Sequence, residues 1–432
     1  MQGGPDMGKV VRLRRRRKSR VKGREDVLTR AEFEALDLER RVALIQELIP
    51  LGLMAAAEEL QREVQELAGL RFGRKGGEGE ALYRFGSNAG TVLLGGQRVP
   101  IRVPRVRTAE GEVRLRSYEL LHRGVAAADE RLMERVLYGV SCRNYETTVG
   151  PRQGAIGTSK STVSKEFVAA SSRVLRTFTE RRLDEEDLVA MFVDGKYFAK
   201  DEMVIALGIT IEGAKRVLGF VQAGTENSQV VSSFFRSLLD RGLCIDKGLL
   251  VCIDGSKGIR SAAGQVFKKR AMIQRCQWHK RENVVSYLPR DQQRWMRQRL
   301  QRAYERPTYD EALKALKKVR AELEAENQSA LASLDEGFEE TLTLHRLGVF
   351  AKIGCSFKTT NCIETLNSMA EGFCSKITHW KNSKQKQRWL AAALRDIEPR
   401  LRRVRGHKHL PLLRRALMKE LDIRSDAAEA AA

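Results

Sequence analysis

The chain has 432 residues, of which 42% are hydrophobic and 31% charged, so it is long enough for two or three domains with a sizeable core. It has 78 lysine and arginine residues against 55 aspartate and glutamate residues, which gives a formal net charge of +23. This surplus favours a polyanionic partner, above all nucleic acid, although a ribosomal or membrane-surface protein could be as basic.

Membrane insertion and secretion are not expected. The longest apolar stretch, Leu48–Ala57, reaches about half of the roughly 20 residues that a membrane-spanning helix needs. The basic run Arg14–Lys18 stands where the apolar core of a signal peptide would begin. Seven scattered cysteines, an odd number, indicate reduced thiols rather than a disulfide framework. We therefore expect a cytoplasmic, nucleoid-associated protein.

The first 70 residues divide into two predicted segments. Residues 1–30 are strongly basic without apolar periodicity, which predicts a disordered arm that is either solvated or in contact with DNA phosphates. Residues 31–70 carry apolar residues at a spacing of about 3.6 and are predicted to be helical, with a break at Pro50. This helical region is assigned to core packing or dimerisation.

Residues 71–128 are predicted to form a small β-rich region. The run 91–104 has the pattern of a hairpin, with Gly95 and Gly96 supplying the turn. Prolines in the second strand predict that this strand lies at a sheet edge, because proline cannot donate to a ladder. The basic ribbon could lie along DNA or be purely structural.

Residues 129–182 are predicted to form a helix-turn-helix-like DNA-binding domain. Thr158 or Ser159 is suited to cap its second helix. The residues predicted to face inward are Val163, Phe167 and Val168. The residues predicted to face DNA are Lys160, Ser161, Thr162 and Lys165. Small polar and basic side chains at a helix start suit a major groove, although serine and threonine there are often only caps.

The pattern then changes to strands. Strands are predicted at 188–193, 203–210, 216–222, 249–253 and 272–276, and a helix at 227–241. Three neighbouring strands, a helix, and then strands alternating with helices are the order of a ribonuclease H-like fold. We assign residues 183–282 and 346–398 to this α/β catalytic core, 283–345 to a helical insertion, and 399–432 to a basic C-terminal tail. The helical DNA-binding regions and the β-hairpin precede the core.

The predicted insertion consists of three helices. They span residues 292–304, 309–323 and 330–344, and Thr308 with Glu311 forms a capping-box pattern at the second one. Many arginines and lysines decorate these helices. They either form a solvated face or contact DNA.

Two aspartates follow predicted strands. Asp194 and Asp254 each come directly after an apolar run and directly before a glycine. If the two strands are neighbours, both carboxylates emerge at one edge of the sheet, where a divalent cation such as Mg²⁺ relieves their repulsion. The alternative is that both Asp-Gly pairs are ordinary turns.

A third carboxylate, Glu364, lies in the segment 359–367, which is predicted to begin a helix. Asn361 stands three residues earlier, and this spacing is also that of a capping box in which the glutamate bonds only the backbone. The sequence alone therefore leaves Glu364 as either a metal ligand or a cap.

Four motifs together resemble the Mutator-type transposases of bacterial insertion sequences. The motifs are Val193–Tyr197, Cys252–Gly258, Cys276–Lys280 and Thr359–Asn367, and the match runs in order from about residue 188 to about residue 394. The resemblance implies that Asp194, Asp254 and Glu364 form a metal-binding catalytic triad, and that a helical insertion fills the gap before the glutamate. Cys362 and Thr365 depart from the residues usual in the family, but neither is a carboxylate.

The resemblance implies a DNA transposase that cuts and joins DNA strands with two Mg²⁺ ions, for which Mn²⁺ can substitute. Its partners would be the terminal inverted repeats, target DNA and a second copy of the chain, because two transposon ends must be held together. The residues predicted to contact DNA near the site are Lys196, Lys257, Cys276, His279 and Trp380.

His279 could instead contact a catalytic carboxylate. Cys276 with His279 could also form half of a zinc site, but the sequence contains no second pair with suitable spacing. Trp278 and Trp380 could stack on unpaired bases, or be buried. Two other functions remain open: a non-catalytic DNA-binding regulator derived from a transposase, and a structure-specific nuclease of similar fold.

Overall fold

The computed structural model describes residues 35, 37–45, 51–70, 82–94, 97–124, 133–134, 136–139, 160–198, 201–223, 228–377 and 379–423. The predicted basic arm, the Gly95-Gly96 turn, the cap at Thr158 or Ser159 and the side chains of residues 160–162 lie outside this set. The chain divides into two compact units, one of residues 1–95 and 100–125 and one of residues 96–99 and 126–432.

The first unit combines helices with a three-stranded sheet. Its elements are α1 (Leu38–Ile45), α2 (Leu51–Ala68), β1 (Tyr83–Leu94), β2 (Gln97–Arg107), β3 (Glu112–Val113) and α3 (Arg116–Arg123). The predicted helical region is confirmed as two helices, and the predicted hairpin is present but begins eight residues earlier, at Tyr83. At the start of α3, Glu63 accepts hydrogen bonds from the backbone N–H groups of Arg116 and Ser117 at 2.8 and 2.9 Å, which satisfies two donors left open by the helix.

The predicted edge position of the proline-containing strand is wrong. β2 is the middle strand, in the order β1-β2-β3. β3 pairs only with Val106 and Arg107, beyond Pro100 and Pro104. The prolines are therefore tolerated because the third strand does not reach them.

The second unit contains a five-stranded sheet. Its strands are β4 (Leu188–Phe198), β5 (Asp201–Thr210), β6 (Lys215–Ala223), β7 (Leu249–Ile253) and β8 (Ala271–Arg275), in the order β6-β5-β4-β7-β8. β4, β5 and β6 are antiparallel neighbours, whereas β7 and β8 run parallel to β4. The five predicted strands are confirmed. β4 extends beyond its predicted end at Val193, so that Asp194 lies inside the strand and pairs with Ile205.

Helices cover both faces of this sheet. The helices are α4 (Lys160–Glu180), α5 (Ser228–Asp240), α6 (Lys257–Phe267), α7 (Gln277–Ser286), α8 (Arg290–Tyr304), α9 (Tyr309–Glu326), α10 (Gln328–Asp335), α11 (Thr343–Arg346), α12 (Phe350–Phe357), α13 (Asn361–Cys374), α14 (Ser383–Ile397) and α15 (Leu410–Glu420). One core joins the sheet to α4, α13, α14 and α15, and a second joins its other face to α5 and α6. Successive side chains of β4 point to opposite faces of the sheet, so Phe192 lies in the first core and Val193 in the second.

Helix α4 belongs to the first of these cores, in the same compact unit as the sheet. Val163 and Phe167 are buried as predicted, and the ring of Phe167 lies 4.9 Å from that of Trp389 on α14. Val168 is 39% exposed, so its predicted inward position is wrong. Lys165 is exposed. The apolar side of α4 thus packs in the first core along the length of the helix.

The helices α7 to α10 enclose a third core of their own. Thr308 caps α9 as predicted, since its hydroxyl accepts a hydrogen bond from the Glu311 N–H at 3.3 Å. The single helix predicted over residues 330–344 is wrong. α10 ends at Asp335, Gly337 takes a positive φ of 68°, and a 3₁₀ turn over Glu339–Leu342 leads into α11.

The predicted basic C-terminal tail is also packed as far as α15. Leu410, Leu413 and Leu417 are fully buried on one face of this helix. Arg414 on α15 donates hydrogen bonds to the Asp187 carboxylate at 2.6 Å and to the Leu188 carbonyl at 2.9 Å. The spacing of these leucines is that of one helix face, and it predicts a packed helix even though the region is rich in basic residues.

The described part of the chain contains six of the seven cysteines. The six cysteines within it are free thiols. Among its helices, none combines the length and apolar character that a membrane span requires.

Candidate active site

The sheet brings Asp194 and Asp254 to the same level. β4 and β7 are parallel neighbours, and Val193 pairs with Ile253. The next residue of each chain segment is an aspartate, so both carboxylates stand at one position along the sheet. Asp254 ends its strand, and its Oδ1 accepts a hydrogen bond from the Ser256 N–H at 2.9 Å. The predicted meeting of the two aspartates is therefore present.

Glu364 joins them from α13, which packs against β4. The capping-box interpretation of this glutamate is wrong, because Thr360 rather than Asn361 is the N-cap and Glu364 lies within the first turn. Its Oε1 accepts a hydrogen bond from the Thr360 hydroxyl at 2.6 Å. Thr360 is 1% exposed and thus a fixed donor that holds the glutamate in place.

A fourth residue, Asn367, was not predicted. Its Nδ2 donates a hydrogen bond to Asp194 Oδ2 at 2.8 Å, and the residue is 3% exposed. It follows Glu364 by three residues and so lies on the same face of α13. This spacing is the feature of the sequence that could have indicated a site role for Asn367. Asn367 Oδ1 is buried and has no hydrogen-bond partner in the part of the chain that the structure describes.

The charges of the neighbouring acids act on Asp194. The pKa of Asp194 is raised to about 7, first by burial and then by the negative charges of Asp254 and Glu364. The charge of His279 and the hydrogen bond from Asn367 act in the opposite direction. A buried carboxyl group surrounded by like charges is the environment that a bound cation relieves.

Cys276 and His279 support this cluster from the start of α7. Cys276 is the N-cap, with its sulfur accepting a hydrogen bond from the His279 N–H at 3.5 Å. His279 Nδ1 lies 3.9 Å from Glu364 Oε1 and 3.2 Å from the Thr360 hydroxyl. A hydrogen bond with Cys276, together with the nearby acids, raises the pKa of His279 to about 9. His279 therefore brings a positive charge to Glu364.

The remaining residues predicted to contact DNA are in varied environments. Lys196 forms an ion pair with Glu371 at 3.0 Å, and Lys257 is 80% exposed. Cys276 is 2% exposed and beneath the surface, so its position contradicts a direct DNA contact. Trp380 is half-buried against the first core. By contrast, Trp278 is 47% exposed, so its predicted alternative as a buried residue is wrong.

Arg275 ties the Asp254 loop to the insertion, which the sequence did not reveal. Its guanidinium donates to the Gly255 carbonyl at 3.1 Å and to the Glu336 carbonyl at 2.6 Å. The side chain is only 2% exposed. Lys280, also buried, donates to the same Glu336 carbonyl at 2.6 Å. Two cations thus meet the C-terminal end of α10, where the helix dipole favours positive charge.

Gly337 packs directly on this arginine, which gives a first prediction. A Cβ at Gly337 would lie 2.8 Å from Arg275 Cζ, whereas one at Gly348, which has the same φ of 68°, would meet nothing within 4 Å. Gly348→Ala should therefore lower the free energy of unfolding only through backbone strain, by about 1 kcal/mol. Gly337→Ala should cost about 1–3 kcal/mol more in free energy of unfolding, from the clash. Denaturant unfolding of both variants measures the difference, and equal stabilities would contradict this packing.

The donor set suits a hard divalent cation. Within the described residues, no three His, Cys, Asp or Glu side chains form a ready metal-binding group. Nevertheless, the charges of Asp254 and Glu364 both raise the pKa of Asp194, and the buried Asn367 Oδ1 adds an oxygen without a partner among the described residues. Carboxylate and amide oxygens are the ligands that Mg²⁺ accepts. The residues present therefore fit such an ion.

Comparison with known proteins gives consistent matches. The model of the family "Transposase, Mutator family" matches residues 29–403. The transposase for insertion sequence element ISRM5 of Rhizobium meliloti is 29% identical over 321 residues, which cover 72% of this chain and 77% of the relative. The transposase for IS905 of Lactococcus lactis is 30% identical over 234 residues, 52% of this chain and 58% of the relative. The transposase for IS256 in Tn4001 of Staphylococcus aureus is 26% identical over 327 residues, 72% and 78% of the two chains.

Proposed function

Because this chain belongs to the Mutator family of transposases, we propose that it cleaves and joins DNA strands with Asp194, Asp254 and Glu364 as its catalytic residues. The observation that carries the proposal is the convergence of these acids from β4, the end of β7 and α13. The raised pKa of Asp194 supports it, because the other two acids contribute to that shift. Strongly perturbed carboxyl groups are typical of functional sites.

We propose that the second unit has a ribonuclease H-like core with the helices after β8 as an insertion. The strand order β6-β5-β4-β7-β8 supports this, since three antiparallel strands are followed by two parallel ones. The placement of acids on the central strand β4 and its parallel neighbour β7 supports it further, because ligands of α/β sheets gather at the carboxyl ends of parallel strands.

Mg²⁺ would be held by the three carboxylates, with Mn²⁺ able to replace it. When bound, two such ions supply Lewis-acid activation of the attacking group and neutralise charge on the leaving oxygen. The protein's own contribution is positioning. Asn367 orients Asp194, Thr360 orients Glu364, and Ser256 fixes Asp254. Such supporting hydrogen bonds set the direction of metal-binding oxygens.

The proposed substrates are the terminal inverted repeats of the transposon and a target DNA. The net charge of +23 supports a DNA partner, because phosphates neutralise arginine and lysine. A homodimer follows from the need to hold two transposon ends at once. The helix-turn-helix proposal for residues 129–182 depends on Lys160, Ser161, Thr162 and the exposed Lys165.

The pKa of Asp194 leads to a second prediction. In the folded protein this pKa is about 7, whereas in an unfolded chain an aspartate titrates near ~3.9. The folded state therefore holds an extra proton between these values, and the stability from that proton is lost as pH rises through 7. Mg²⁺ must displace the proton at pH 6 but not at pH 8. His279, with a pKa of about 9, stays charged at both values.

We therefore expect Mg²⁺ to raise the Tm more at pH 8 than at pH 6. Thermal unfolding with and without the ion at both pH values measures this. Asp194→Asn is the control, because it removes the titrating group and should remove the pH difference. An equal rise in Tm at both pH values in the unsubstituted protein would place Mg²⁺ away from Asp194.

A strand-transfer assay tests the proposed function itself. The purified protein is incubated with Mg²⁺, a labelled duplex carrying the inverted repeat that flanks its gene, and a target plasmid. Cleavage at the repeat boundary followed by joining is expected. Cleavage without joining would instead identify a structure-specific nuclease, and binding without cleavage would identify a regulator.

A further inference from the structure

Trp278 is a large aromatic side chain exposed beside the candidate active site. It lies in the first turn of α7, and 47% of its surface is accessible. Its ring meets the His279 ring edge to face, with centroids 4.8 Å apart. Burying an aromatic ring is favourable, so leaving one half exposed has a cost that a binding partner would remove.

The position of Trp278 relative to the acids follows from the backbone. The N–H of Cys276 donates to the Ile253 carbonyl at 2.8 Å, directly before Asp254. The N–H of Gln277 donates to the Lys358 carbonyl at 2.9 Å, shortly before the segment that carries Glu364. Two hydrogen bonds thus clamp the start of α7 between the elements that present two of the acids. Trp278 follows immediately.

The charges around Trp278 favour a nucleic acid rather than an apolar partner. The ring of His279, the next residue, lies 3.9 Å from Glu364 Oε1. Lys257, at the start of α6, is 80% exposed and lies 3.9 Å from the carboxylate of Glu336, whose carbonyl accepts a hydrogen bond from Lys280, two residues after Trp278. An aromatic face flanked by cations is the arrangement with which proteins hold unpaired nucleotides.

We infer that Trp278 stacks on an unpaired nucleobase next to the phosphate that is cleaved. This inference rests on the proposed function, because it places the scissile phosphate at the acids. Successive nucleotides of a strand are about 3.4 Å apart along the helix axis, so a side chain beside the acids faces the base of the cleaved or the adjoining nucleotide. Inside a duplex the faces of that base are covered by its neighbours. The base must therefore be at a frayed end or turned out of the helix, and Trp278 stabilises it there.

The test is a series of transposon-end duplexes, each lacking one base near the cleavage position. Cleavage of each duplex in Mg²⁺ is compared between the unsubstituted protein and Trp278→Ala. The matched control is Trp295→Ala, on α8. Trp295 is 45% exposed, and Arg299 lies over its ring at 5.5 Å. Trp278→Phe keeps an aromatic face and should recover most of the cleavage.

We expect Trp278→Ala to lower cleavage of the intact duplex about tenfold, as stacking of one base would require. At one abasic position the unsubstituted protein should suffer a similar loss, and Trp278→Ala should suffer no further loss there. Such non-additivity identifies the base that the ring contacts. Trp295→Ala should cleave every duplex at the same rate as the unsubstituted protein.

Two outcomes would overturn the inference, and they differ from failure of the proposed function. If the losses from Trp278→Ala and from each missing base simply multiply at every position, no base stacks on this ring. The same holds if Trp278→Phe is as defective as Trp278→Ala. If the unsubstituted protein cleaves none of the duplexes, the proposed function itself fails.

Discussion

Asp254→Asn is expected to lower cleavage of a transposon end at least about a thousandfold while leaving DNA affinity unchanged. The amide keeps the shape of the side chain and can still accept the hydrogen bond from the Ser256 N–H. It removes the negative charge that a divalent ion needs. Losing several kcal/mol of charge stabilisation in the transition state corresponds to a loss of this size. Asp194→Asn and Glu364→Gln should behave in the same way.

The measurement pairs a cleavage time course with a binding titration on the same labelled duplex. Asp310→Asn serves as the control, because Asp310 is an exposed carboxylate in the first turn of α9. It loses the same charge away from the site and should cleave normally. Normal cleavage by any of the three site variants would remove that residue from the catalytic set. Loss of binding along with cleavage would indicate a folding defect instead.

Arg275→Met is expected to destabilise the second unit by about 3–5 kcal/mol. The arginine is 2% exposed, and its guanidinium holds the Gly255 and Glu336 carbonyls together. Removing it leaves the Gly255 carbonyl without this donor, and it leaves the Glu336 carbonyl with Lys280 alone and the Glu340 carboxylate with Arg260 alone. Arg275→Lys should be almost as harmful, because one ammonium cannot reproduce the planar fork that reaches both carbonyls.

Denaturant unfolding monitored by circular dichroism measures this loss. Arg299→Met is the matched control: Arg299 pairs with Glu322 on the surface of the insertion, where an ion pair contributes at most about 1 kcal/mol. A fully stable Arg275→Met variant would show that the insertion does not depend on this contact. Reduced cleavage in a folded Arg275→Lys variant would show that the arginine also positions the Asp254 loop.

The strands of the second unit were predictable because each is a short, nearly continuous apolar run. Val251, for example, is fully buried in β7, as the run predicted. The end of β4 was not predictable in the same way. Asp194 and Lys196 interrupt the apolar pattern, yet backbone pairing with β5 continues through both. Ladder hydrogen bonds to a neighbouring strand therefore extended β4 beyond what its own side chains indicated.

The candidate site was predictable in its acids but not in its supporting residues. Asp194 and Asp254 can be recognised in the sequence because each follows an apolar run. The two carboxylates come together because β4 and β7 are parallel neighbours. Arg275 gives no such signal, because its partners are backbone carbonyls distant in sequence. Thr360 and Asn367 become meaningful only once α13 is known to pack against β4. Their roles are tertiary rather than local.

The C-terminal region shows how composition can obscure packing. Its basic residues predict a tail, whereas Leu413 on α15 belongs to the same buried core as Phe167 on α4, whose inward position the sequence did predict. Lys165 remains exposed on the opposite side of α4, so its predicted DNA contact stays a prediction.

The most direct test of the central claim is to locate Mn²⁺ by anomalous X-ray scattering from crystals of the protein grown with the ion and a transposon-end duplex. The account predicts anomalous peaks within coordination distance of Asp194, Asp254 and Glu364, and their loss in Asp254→Asn. Peaks only at other residues, with these three carboxylates bound to protein groups alone, would contradict the assignment of the site.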